Sequence, residues 1–240
     1  MEGRNRTLAI AVGIASILII FATCLTLFGF YLDDLEEDAE RERLFKEYVE
    51  YKITLYESEN EMYDDFEVDV AFLGDSLTDG CDISRYYPDV AAVNRGIGGD
   101  TTFGLEERMD VSLYDLKPKV AVILIGGNNL YSMLDNYEEL ILGIKDNSPR
   151  TEILICSLTS MGMDWGHKNQ IAAYNNVFLE RLAMKHDCAF VDLYTPLFDE
   201  NTGEIRTEYT SDGAHLTHAG YEVISGKIRP ILSTLLDDWV

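Results

Sequence analysis

The sequence predicts an α/β fold: a three-layer α/β/α sandwich with about five parallel strands, preceded by an N-terminal transmembrane helix. Three observations predict it. Short, unbroken apolar runs rich in β-branched residues recur at 68–73, 91–94, 120–125, 152–157 and 189–193. Helical stretches separate them near 103–115, 130–145 and 168–186, and a last one follows at 218–236. Strands buried on both faces read in this unbroken way, and helices between them imply a parallel sheet covered on both sides. The third observation is an uncharged run over residues 8–32.

That run would span ~37 Å as a helix at ~1.5 Å per residue, against a hydrocarbon core of ~30 Å. Arg4 and Arg6 precede it, and Asp33, Asp34, Glu36, Glu37 and Asp38 follow. Positive flanks stay in the cytoplasm. The expected order is therefore a cytoplasmic N-terminus (1–7), a membrane anchor (8–32) and an extracytoplasmic remainder at the cell membrane. A cleaved signal peptide is the rival, but its apolar region is shorter, ~7–15 residues, and ends in an A-x-A-like site. The segment "FATC" at 21–24 faintly resembles a lipoprotein signal, although Thr23 suits that role poorly. Residues 33–66 read as a juxtamembrane helical segment. Leu35, Leu44, Phe45, Tyr48, Tyr51, Leu55 and Tyr56 fall at helical spacing, and 43–58 is expected to pack on the domain that occupies 67–240.

Charge narrows the partners. The chain has 43 acidic and 19 basic residues, a net charge of -24, which repels nucleic acid. No cysteine pair has CxxC spacing, so a zinc site is not expected. Cys156 and Cys188 fall in or beside neighbouring strands, where they could pair or serve as small core residues.

Open α/β sheets place their chemistry just past the C-terminal ends of the strands. The first strand runs into Gly74-Asp75-Ser76, the second into "NRGIGGDTT" and the third into "GGNN"; "SDGAHLTHAG" precedes the last helix. The "GIGG" stretch lacks GxGxxG spacing and a following acidic residue, so it does not read as a dinucleotide loop. Together the four segments hold the parts of an acyl-transfer site. Ser76 is the candidate nucleophile and needs a base within reach. His215 can be that base. Asp212, three residues earlier, can orient its ring. The backbone N–H groups of Ser76 and Gly99 and the side-chain amide of Asn128 are candidate oxyanion donors. His186 lacks an acidic residue three positions before it, and His218 starts a helix. Asp75 reads as an organiser of the turn.

The blocks "GDSLTDG", "NRGIGGDT", "GGNN" and "DGAH" resemble, in order, those of the GDSL or SGNH hydrolases over about residues 68–236. The resemblance implies a flavodoxin-like α/β/α fold and esterase-type activity without a metal or cofactor. It places the nucleophile on Ser76, the oxyanion glycine and asparagine on Gly99 and Asn128, and the Asp-x-x-His pair on Asp212 and His215. Two departures stand out. Asn129 replaces an Asp frequent in the third block, as in members similar to platelet-activating-factor acetylhydrolase, and Leu216 replaces a frequent Pro. Substrates in that family range from lysophospholipids to acetylated glycans, so lipid and glycan esters both remain open, with a bilayer as partner for the N-terminal helix. Tyr86, Tyr87, Phe103, Tyr131, Met133 and Trp165 are candidates for the pocket rim, with two or three expected to touch substrate. An acyltransferase on surface polymers and a non-catalytic glycan-binding module are the alternatives.

Overall fold

The computed structural model describes residues 2–239, with side chains described at 23, 26–28 and from 30 onward. Contacts divide the chain into two compact units, 1–50 and 51–240. The helix α1 (Glu2–Asn60) supplies all the described backbone of the first. Its polar part carries i,i+3 and i,i+4 ion pairs, among them Arg43 with Glu40 and Glu47, and Lys46 with Glu42. All are exposed and screened by solvent, so they add little stability. The expected membrane segment, 8–32, falls mostly on residues whose side chains lie outside the described set. Among the described residues no helix is long and apolar enough to cross a membrane.

The second unit is an α/β/α sandwich. Its strands are β1 (Val70–Gly74), β2 (Ala92–Gly96), β3 (Val120–Leu124), β4 (Glu152–Cys156) and β5 (Ala189–Val191). They form a parallel sheet in the order β2-β1-β3-β4-β5. This is the flavodoxin-like order, in which the strand direction of travel reverses beside β1 and opens a crevice at the β1 and β3 ends. The helices are α2 (Ser76–Asp79), α3 (Ile83–Tyr86), α4 (Thr102–Glu107), α5 (Tyr137–Asn147), α6 (Asn169–Lys185) and α7 (His218–Asp237). A short antiparallel pair, β6 (Phe198–Asp199) and β7 (Glu204–Ile205), follows β5.

Side chains of β3 alternate between two cores. Ala121 and Ile123 pack with Leu105, Leu140 and Leu179 from α4, α5 and α6. Val120, Val122 and Leu124 pack with Ile224, Ile228 and Leu232 from α7. The strands β1, β3 and β4 are thus apolar on both faces, which is why period-2 alternation is absent from their sequences. Cys81, Cys156 and Cys188 are free thiols, and Cys156 is buried in the α7-side core.

Residues 51–60 fall in the same compact unit as the sheet. The reason is a charge inside β2. Arg95 is fully buried, with its guanidinium paired to Glu59 and donating to Asn60 Oδ1 at 2.9 Å. A buried cation needs such partners. Tyr56, only 1% exposed, packs beside it and donates its hydroxyl to Gly96 O at 2.6 Å.

Candidate active site

β1 ends in a turn whose geometry depends on close approach. A Cβ on Gly74 would lie 2.3 Å from the carbonyl oxygen of Leu124, so glycine lets β1 press against the end of β3. Asp75 caps α2 by accepting the Leu77 N–H at 3.1 Å. Ser76 therefore opens α2 at the C-terminal edge of the sheet. Burial pushes the Asp75 carboxyl up to about 6, and the nearby Asp100 adds to the rise. Hydrogen bonds from the Leu77 and Gly127 N–H groups oppose it.

The loop before α7 brings the other two groups. Gly213 has φ +89°, and a Cβ there would lie 2.1 Å from Gly162 O. Asp212 uses both carboxylate oxygens. Oδ1 accepts the backbone N–H groups of Ala214 (3.0 Å) and His215 (2.8 Å). Oδ2 lies 2.7 Å from His215 Nδ1. The His215 contact, followed by these backbone donors, holds the Asp212 carboxyl down at about 2. Nδ1 therefore carries a proton toward Asp212, which leaves Nε2 as acceptor for the Ser76 hydroxyl at 3.0 Å. The side chains of His215 and Asp212 are 52% and 51% exposed, so the pair is open to water.

β3 supplies the third arm. Gly126 adopts φ +119°, and the turn Gly127–Asn129 follows. Asn128 donates one N–H to Asp100 O at 2.8 Å. An amide has two such donors, so one remains for a substrate oxygen. Asn129 clamps α4: its Nδ2 donates to Thr102 Oγ1 at 2.9 Å, and its Oδ1 accepts the Thr102 N–H at 3.3 Å. The departure at position 129 thus has a structural use. Gly99 is exposed beyond β2 with φ +84°.

A cavity of about 130 Å³ adjoins Ser76, Asn128 and His215, with Leu77, Leu124, Leu158, Met161 and Trp165 as its apolar walls. Of the six rim candidates, Trp165 alone lines it. Lys168 Nζ lies 4.3 Å from the Trp165 ring centre. Phe103 and Tyr131 are exposed and do not line the cavity, and Tyr131 is 82% exposed. Tyr86, Tyr87 and Met133 are buried instead. The two tyrosines join the core under α7, and Met133 packs beneath Gly126. A larger hollow, about 440 Å³ between Asp69, Lys119 and Arg229, is lined by Tyr87 but by none of Ser76, Asn128, Asp212 and His215.

The remaining histidines have other partners. His167 Nδ1 is 2.8 Å from Asp164 O, and His186 Nε2 is 2.6 Å from Glu138. His218 lies between Tyr86 (2.6 Å) and Arg85 (2.8 Å). Sequence reasoning did not single out Asp100 and Arg108, a buried ion pair at 2.8 Å behind the second block. A charged residue in a helical pattern reads as solvent-facing, and only its burial betrays it.

Residues 72–223 match the model of the GDSL-like lipase/acylhydrolase family. No curated protein matches the chain. Among solved structures, one named for platelet activating factor, from Streptococcus pneumonia, is 27% identical with a TM-score of 0.71, covering 80% of this chain and 95% of its own. A GDSL-like lipase from Bacteroides thetaiotaomicron is 23% identical (TM-score 0.66; 76% and 97% covered). An acetyl xylan esterase from Geobacillus stearothermophilus is 19% identical (TM-score 0.58; 70% and 95% covered).

Proposed function

This chain belongs to the GDSL-like lipase/acylhydrolase family, and from that premise we propose that it hydrolyses short-acyl carboxylic esters through a Ser76–His215–Asp212 triad. Ser76 Oγ attacks the ester carbonyl carbon while its proton passes to His215 Nε2. The resulting oxyanion is held by the second N–H of Asn128 and by the backbone N–H groups of Gly99 and Ser76. The C–O bond to the alcohol then breaks, and His215 returns the proton to the leaving oxygen. Water, deprotonated by His215, adds to the acyl-enzyme and releases the acid and free Ser76.

The observation that carries this reading is the continuous chain from Ser76 Oγ to His215 Nε2 (3.0 Å) and from Nδ1 to Asp212 (2.7 Å). The exposure of that pair favours water over a second alcohol as acyl acceptor, and so hydrolysis over transfer. The small apolar cavity favours an acyl group of a few carbons. A net charge of -24 disfavours a phosphate-bearing alcohol, so an acylated sugar suits the enzyme better than a lysophospholipid. The uncharged run at 8–32, with arginines before it and acids after, supports tethering of the domain outside the cell membrane. Carbonate extraction of membranes tests the tether. Ser76→Ala tests the chemistry: unchanged release of p-nitrophenol from p-nitrophenyl acetate would end this reading.

A further inference from the structure

Arg108 follows α4 and is 3% exposed. A single π-helical turn, Asp110–Tyr114, comes next, and such turns recur at functional sites. The turn carries Ser112, whose hydroxyl takes one guanidinium N–H. The guanidinium makes four hydrogen bonds: Nε to Asp100 Oδ2 (2.8 Å), Nη1 to Arg95 O (2.9 Å) and Ser112 Oγ (2.8 Å), and Nη2 to Gly74 O (3.1 Å). Only a planar fork reaches so many acceptors at once; an ammonium group does not.

Three of those acceptors lie on segments that lead into the site. Gly74 stands two residues before Ser76. Arg95 lies in β2, whose exit carries Gly99. Asp100 follows Gly99, and its carbonyl accepts the anchoring N–H of Asn128 at 2.8 Å. Asp100 is itself 4% exposed, and its Oδ1 accepts the Thr101 N–H at 2.8 Å. A Cβ on Gly104 would lie 2.0 Å from that Oδ1, so α4 leaves space for the carboxylate.

We propose that Arg108, with Asp100, is a positioning residue that locks the Ser76 turn and the oxyanion donors into one frame; this rests on the hydrolase reading given above. Arg108 never touches the ester. It fixes Asp100, which fixes the Asn128 amide, so that the second N–H meets the carbonyl oxygen as negative charge develops there. An ion pair that served folding alone would change stability and leave transition-state binding intact.

The test compares wild type, Ser76→Ala, Arg108→Lys and Ser112→Ala with p-nitrophenyl acetate and a trifluoromethyl ketone that mimics the tetrahedral intermediate. Arg108→Lys keeps the charge and loses the fork. Its kcat is expected to fall ~10–100-fold with KM within about threefold, and its affinity for the ketone to fall in step with kcat/KM. Full kcat in a folded Arg108→Lys protein, or a change in KM alone, overturns the proposal. Should that variant not fold, Ser112→Ala decides: a fall of about 3–10-fold in kcat at constant KM supports it, and unchanged kcat overturns it. Loss of Ser76 dependence in the same assay removes the hydrolase reading itself, which separates the two failures.

Discussion

On the proposed reading, the cavity beside Ser76 sets an upper limit on the acyl group. Its volume is about 130 Å³, and a dry apolar cavity of ~150 Å³ takes a molecule the size of benzene. With the carbonyl oxygen held by Asn128, an acyl chain of about four or five carbons fills the space. Each buried methylene is worth about 0.8 kcal/mol, or about fourfold in rate at ~1.4 kcal/mol per decade. Across p-nitrophenyl esters, kcat/KM should therefore rise about fourfold per methylene from acetyl to butyryl, then fall by octanoyl. Leu158 is 3% exposed and lines the cavity. Leu158→Ala removes Cγ and both Cδ atoms, and the optimum should move out by about two carbons, at a cost of ~2–5 kcal/mol in stability. Met161→Ala, at a less buried wall, gives the same shift should the first variant be too unstable. Equal turnover of butyryl and octanoyl esters by the wild type would refute the reasoning, as would an unmoved optimum in both variants.

Asp212→Asn should lower kcat by about 10⁴ with little change in KM, because the ring of His215 loses its orienting carboxylate. Since Asp212 sits at about 2, its own titration should leave activity untouched until the pH approaches that value, as a pH–rate profile will show. Asp75→Asn carries a stability prediction. The folded Asp75 carboxyl lies at about 6, above the usual 3.8, so between these values folding takes up a proton and stability falls as pH rises. The shift is about two pH units, worth about 3 kcal/mol at ~1.36 per unit. Wild type should lose that much relative to Asp75→Asn between pH 4 and 7 in urea unfolding; a constant difference would contradict it. Tyr56→Ala should cost ~3–5 kcal/mol by the same method, because the ring and its bond to Gly96 O hold residues 51–60 on the domain.

The central strands β1, β3 and β4 were legible because each is buried on both faces. Unbroken runs such as "VAVIL" have few alternatives between helices. The meeting of Ser76, His215 and Asp212 was legible because each follows a strand or precedes a helix at one edge of the sheet, and the structure brings their side chains within hydrogen-bond reach. Long-range burial was not legible. Nothing in the local pattern marks Arg95 and Arg108 as interior, yet both are buried, Arg95 against Glu59 and Arg108 against Asp100 and Gly74 O. Tyr86, Tyr87 and Met133 sit near the blocks in sequence, but their backbones turn them into the core, whereas Trp165 reaches the cavity from a short 3₁₀ turn, Met163–Lys168, that no periodicity marks. The expected helix over 103–115 ends early because the chain adopts a π-helical turn at Asp110–Tyr114, where Ser112 meets Arg108.

The most direct measurement is peptide mass spectrometry of the enzyme quenched during turnover of p-nitrophenyl butyrate, or after a fluorophosphonate probe. The account predicts a single adduct on the peptide that contains Ser76, slowed by orders of magnitude in His215→Ala. An adduct elsewhere, or equal labelling without the imidazole, would contradict it.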